Sequence, residues 1–108
     1  FPLGQLLPFR EGTSSNQWFY SLDIEIGELK GDLFDLISRL QEKGVQTRPI
    51  WGLIHEQKPY QQAIAYQIER AQYYSRRILN LPCSTQITED EIRYAAKEVM
   101  ETITDMRK

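Results

Sequence analysis

The sequence holds a single cysteine, Cys83, and a single histidine, His55. One thiol cannot form an internal disulfide, which excludes a small disulfide-stapled scaffold. The pair also falls short of the three or four ligands that zinc or another transition metal normally takes, so no metal site is expected. Long apolar runs are missing as well: nothing approaches the roughly 20 residues needed to cross a bilayer, and no charged-then-apolar leader opens the sequence. No membrane partner and a cytoplasmic location are therefore expected. Neither sign of charge dominates. Thirteen Lys and Arg face fifteen Asp and Glu, mixed along the chain, for a net charge of -2. Such a chain projects no long-range field to gather nucleic acid or anionic lipid.

What is present is about one domain's worth of sequence, 108 residues, enough for one modest core. It starts at Phe1 rather than at methionine, which leads us to expect a piece of a longer protein. Phe1 to Phe9 is apolar but broken by Pro2, Gly4 and Pro8, and Glu11 to Asn16 gathers turn formers, so residues 1–16 read as an incoming segment and a turn. From Gln17 to Glu25, the residues Trp18, Tyr20, Leu22 and Ile24 alternate with polar ones, the period of a strand with one buried face.

Leu33, Phe34, Leu36, Ile37 and Leu40 predict an amphipathic helix between Asp32 and Lys43, stopped by Gly44. Val45 to Ile50 reads as a brief strand ended by Pro49, Ala63 to Ile78 as a second helix, and Leu79 to Cys83 as an edge strand interrupted by Pro82. The capping box Thr88-x-x-Glu91 opens a third helix, with Ile92, Ala95, Ala96, Val99 and Ile103 as its apolar stripe. The order β-α-β-α-β-α predicts an α/β fold, a small sheet of about three strands covered by helices, spanning residues 17–108.

Familiar catalytic patterns fail on inspection. His55-Glu56 begins like a zinc-protease motif, but Pro59 occupies the second histidine's position and would break the helix. No serine, nor Cys83, sits in a nucleophile signature. Tyr73, Tyr74, Arg76 and Arg77 mix rings with cations as single-stranded nucleic-acid binders do, yet four residues are too few. Half-buried rings with arginine stems laid over the sheet edge account for them better.

One loop is richer. Arg48, Trp51, His55, Gln57 and Tyr60 cluster in a proline-bounded stretch. An arginine fork suits phosphate or carboxylate, an indole can cover a sugar or base, and an imidazole can donate a hydrogen bond. The same residues also fit a plainer account, with Trp51 a core plug, His55 a satisfied hydrogen-bonding group and Arg48 a surface ion-pair partner.

The order of motifs carries more information than any one of them. Asn16-Gln17-Trp18-Phe19-Tyr20, then Glu42-Lys43-Gly44-Val45-Gln46-Thr47-Arg48-Pro49-Ile50-Trp51, then Ile54-His55-Glu56-Gln57 resembles the C-terminal third of the DegT/DnrJ/EryC1/StrS family. So does Ala71 through Leu79-Asn80-Leu81-Pro82-Cys83-Ser84, followed by Ile87-Thr88-Glu89-Asp90-Glu91-Ile92. Thr47-Arg48-Pro49-Ile50-Trp51 and Leu81-Pro82-Cys83-Ser84 look most like the subgroup that aminates UDP-linked 4-keto-6-deoxy amino sugars. Leu53 departs from the proline that many relatives carry there.

The resemblance implies the small domain of a fold-type I transaminase, in which a large domain holds pyridoxal phosphate on a Schiff-base lysine. It implies transfer of an amino group, with glutamate as donor, to a nucleotide-linked keto sugar for surface glycan biosynthesis, in a homodimer. None of Lys30, Lys43, Lys58, Lys97 and Lys108 matches the cofactor lysine, so this piece alone is expected to be inactive. It also implies that Arg48, Trp51 and His55 face the substrate rather than the cofactor ring. The rival expectation is a free-standing α/β binding or regulatory module that presents the same aromatics to a protein partner.

Overall fold

Gly4 lies so near the neighbouring strand that a Cβ there would stand 3.2 Å from the Asp23 carbonyl oxygen. In the computed structural model, which describes residues 1–108, it opens strand β1 (Gly4–Leu6). β1 pairs antiparallel with β2 (Ser21–Ile24), Gly4 opposite Ile24 and Leu6 opposite Leu22. After a 3-10 turn at Ile26–Glu28 comes helix α1 (Leu33–Glu42), fixed at both ends by local chemistry. Asp32 Oδ1 accepts from the amides of Phe34 and Asp35 at 2.8 and 3.0 Å, and Asp35 Oδ2 accepts from the Asp32 amide at 2.9 Å. This reciprocal box satisfies donors that a helix start otherwise leaves free. At the far end Gly44 turns left-handed, φ +76°, and the amides of Gly44 and Val45 bond back to Gln41 and Leu40.

Strand β3 is only Arg48–Pro49. A long excursion with 3-10 turns at Ile54–Glu56 and Lys58–Tyr60 leads to helix α2 (Glu69–Ser75), strand β4 (Ile78–Asn80) and helix α3 (Glu89–Asp105). The sheet order is β1-β2-β4-β3, every neighbouring pair antiparallel. Leu22 pairs with Leu79, and together with Ile24 they share the face on which α1 and α3 lie. Leu33, Leu36 and Leu40 from α1 meet Ala95, Val99 and Ile103 from α3 in one core. Each fully buried aliphatic side chain there contributes about 1.5–3 kcal/mol. Truncating Leu40 or Leu79, both wholly enclosed, would cost about 2–5 kcal/mol.

The α/β layer and the two capped helices follow the sequence reading, and several details differ from it, among them the second helix, which ends at Ser75 and leaves Ile78 to β4. The sheet has four strands, not about three, because the N-terminal stretch read as an incoming segment contributes β1. Its prolines fall outside the paired residues, so they break nothing. The segment expected at an edge, Leu79 to Cys83, instead begins inside β4, which lies between β2 and β3. Pro82 stands beyond the strand's end, and the missing donor is never needed. The helix expected from Ala63 starts only at Glu69. Gln67 is left-handed, φ +50°, and Ile64 is 99% exposed, so its apolar positions have nothing to pack on.

Candidate functional site

The stretch after β3 is largely exposed, and the chain as a whole is extended for its length. The Cα radius of gyration is 15.3 Å, against about 13 Å for a compact chain of this length. Gln57 Nε2 donates to the Gly52 carbonyl at 3.3 Å and Gln61 Nε2 to the Glu56 carbonyl at 3.2 Å, so local bonds hold the loop's shape. Ile54, Tyr60 and Tyr66 along it are exposed.

Arg48 is exposed and forms no ion pair. It lines a groove of about 510 Å³ of mixed polar and apolar surface with Phe34, Ile37 and Gln41 of α1 and with Gln46 and Thr47. Thr47 Oγ1 is buried there without a partner. Trp51 is 74% exposed, so it is no core plug. His55 is partly buried, its Nε2 3.8 Å from Glu56 Oε1. Arg48 lies in β3 while Trp51 and His55 lie in the stretch after it, and no ring contact, hydrogen bond or ion pair joins Arg48 or His55 to Trp51.

What Trp51 does touch was hidden in the sequence. Its ring meets those of Trp18 and Phe19 edge-on, at 6.1 and 6.2 Å between centroids, while Trp18 and Phe19 stack on each other at 4.7 Å. The alternation from Gln17 places Trp18 on a buried strand face, yet β2 starts only at Ser21 and Trp18 is 59% exposed. The available signal was the pair Ser15 and Asn16 just ahead. Their side chains accept from the amides of Gln17 and Trp18, at 2.9 and 3.1 Å, and form turns where the strand was expected.

A second concave surface is apolar. Phe1, Leu6, Leu22, Pro82, Ile92 and Met100 are among the residues lining a groove of about 640 Å³ between the β1 edge and α3. Of the N-terminal apolar residues, Phe1, Leu6 and Phe9 are exposed whereas Leu3 joins the core. The arginine–tyrosine cluster at the end of α2 is structural in part: Arg77, just past the helix, binds Asp23 and Glu25 and lies 4.6 Å over the Tyr73 ring.

A Schiff-base lysine must be desolvated or crowded by cations so that its amine is neutral. Lys43 is the reverse case. Its hydrogen bond to Glu98, 2.9 Å between Nζ and Oε2, holds its pKa above the ordinary 10.5. Lys108 Nζ donates to the Gly27 carbonyl at 2.8 Å, Lys97 lies 3.9 Å from Glu101, and Lys30 and Lys58 are exposed. Each lysine of the chain is thus ion-paired, hydrogen-bonded or exposed.

Residues 3–103 match the model of the DegT/DnrJ/EryC1/StrS aminotransferase family. The chain belongs to that family. Its fold is that of a part of solved aminotransferases. It is 30% identical over 81 residues to EpsN of Bacillus subtilis (strain 168), named as a pyridoxal phosphate-dependent aminotransferase, an overlap of 71% of this chain and 20% of that protein. Among solved structures, the aminotransferase TlmJ of Streptoalloteichus hindustanus superposes with a TM-score of 0.79 at 17% identity, over 94% of this chain and 26% of TlmJ. Spr1654 of Streptococcus pneumoniae, named as a sugar aminotransferase and solved in its PMP form, gives 0.76 at 15% identity over 94% and 26%. The chain thus spans about a fifth to a quarter of the length of these proteins.

Proposed function

We propose that this chain is the small, substrate-facing domain of a transaminase that aminates a nucleotide-linked keto sugar for surface glycan biosynthesis. Glutamate is the amino donor, and the enzyme works as a cytoplasmic homodimer. Pyridoxal phosphate and its lysine belong to the rest of the enzyme, since the lysines here are ion-paired, hydrogen-bonded or exposed.

The observation that carries this reading is an arginine and an indole left facing outward without partners of opposite charge or a core to fill, in a chain of this family. Arg48 holds the diphosphate or an acidic group of the donor, Trp51 forms a wall, and His55 donates a hydrogen bond to phosphate or sugar. A charge-assisted hydrogen bond of this kind is worth about 1.5–3 kcal/mol.

Arg48→Ala in the full-length enzyme should therefore raise KM for a UDP-linked 4-keto-6-deoxy amino sugar at least about tenfold. Unchanged kinetics would remove Arg48 from the site. The isolated chain, given cofactor, glutamate and the same sugar, should show no turnover, and detectable amination would overturn the assignment of the lysine elsewhere.

A further inference from the structure

Trp51 needs something to hold it. Its indole stands in solvent, and its ring contacts are the edge-on ones with Trp18 and Phe19. A side chain so exposed samples several rotamers unless neighbours restrict it, and an aromatic wall that moves covers a sugar or base poorly. The backbone ahead of Trp18 is built to supply those neighbours. Gln17 adopts a left-handed conformation, φ +54°, which non-glycine residues rarely take. Three side-chain bonds keep it there: Ser15 Oγ accepts from the Gln17 amide, Asn16 Oδ1 from the Trp18 amide, and Gln17 Oε1 from the Tyr20 hydroxyl at 3.2 Å. Phe9 meets the Tyr20 ring edge-on at 6.0 Å and braces the far side. A strand running straight on from β2 would have sent Trp18 and Phe19 to opposite faces of the sheet. The turn instead stacks them on each other and brings both to Trp51.

We propose that Trp18 and Phe19 are positioning residues that fix the Trp51 indole as a rigid wall for the nucleotide sugar. The inference rests on the substrate-facing reading of Trp51 given above. It adds that the wall is pre-organised by two rings from a distant part of the chain, and that substrate affinity depends on them although neither need touch substrate.

The test uses the full-length protein labelled with 5-fluorotryptophan, with kinetics measured on a UDP-linked 4-keto-6-deoxy amino sugar. The Trp51 fluorine resonance is identified by its loss in Trp51→Phe. Phe19→Leu and Trp18→Ala should each shift that resonance and raise KM about three- to tenfold while kcat changes less than about twofold. Trp18→Phe, which keeps a ring in place, should restore KM to within about twofold of the parent. If Trp51→Ala raises KM but Trp18→Ala and Phe19→Leu leave it unchanged, the positioning role is wrong while the reading of Trp51 stands. If Trp51→Ala also leaves KM unchanged, the substrate-facing reading fails and the positioning role falls with it. A Trp51 resonance indifferent to both upstream substitutions overturns the proposal without reference to activity.

Discussion

Arg77 forks onto both carboxylate oxygens of Glu25, at 2.9 and 2.8 Å. Its remaining Nε donates to Asp23 Oδ1 at 2.8 Å, so one guanidinium ties together two carboxylates two residues apart on one side of β2. The Arg77 side chain is only 15% exposed and covers the Tyr73 ring, while its backbone carbonyl accepts from the Ile24 amide at 3.1 Å. Arginine is suited to this place because its planar fork meets a carboxylate with two parallel bonds. Both partners raise its pKa further, Glu25 most, so it is charged at any working pH.

Replacing that fork separates charge from geometry. Arg77→Ala leaves the nearly buried Asp23 carboxylate unpaired and should destabilise the fold by about 3 kcal/mol. Arg77→Lys keeps the charge but not the paired bonds and should cost about 1–2 kcal/mol. Urea unfolding of the three proteins would order them, and a lysine variant equal to the parent would show that the fork adds nothing.

The same contact sets an acid limit. Hydrogen bonds from Arg77, and then its charge, hold the Glu25 carboxyl below its ordinary 4.5. A folded value below the unfolded one means stabilisation that is complete above pH 4.5 and vanishes as pH falls through the folded value. Hydrogen bonds from the Thr88 backbone and side chain lower Glu91 in the same direction. Lys43 works oppositely: Glu98 raises it, so its contribution is present below 10.5 and is lost as pH climbs through the folded value. Unfolding midpoints followed across pH should fall at both ends, and in Arg77→Ala the acid-side fall should shrink.

Thr88 gives a cleaner measure of a single cap. Its Oγ1 accepts from the Glu91 amide at 3.3 Å, and Glu91 Oε2 accepts from the Thr88 amide at 2.7 Å. Thr88→Ala should cost about 1 kcal/mol, and Thr88→Ser should retain most of it. Thermal melts of both would decide, since loss in the serine variant as well would point to the methyl group rather than the hydroxyl.

Both capped helices were legible because their determinants are local. Thr88 with Glu91 acts across three residues, and α1 shows in its apolar spacing and in Gly44, which ends it by its own backbone, whereas its Asp32–Asp35 box is seen only in the structure. β1 was not legible, since Gly4 reads as a breaker until its approach to the Asp23 carbonyl is known. Nor was the inner position of β4, which depends on Ser21 pairing with Asn80 far along the chain. At the candidate site, Arg48, Trp51 and His55 were visible as residue types in one loop. The rings that hold Trp51 were not, because only folding brings Trp18 and Phe19 beside it.

The strand order dictates how the protein can be made. As it leaves the ribosome, β1 and β2 can pair at once, but β3 has no neighbour until residues 78–80 follow it out. The four strands come together only when β4 enters between β2 and β3, and α3 seals the core later still. A nascent chain arrested before Ile78 would show β2 and β3 as bare edges, surfaces that chaperones recognise and that other chains can extend.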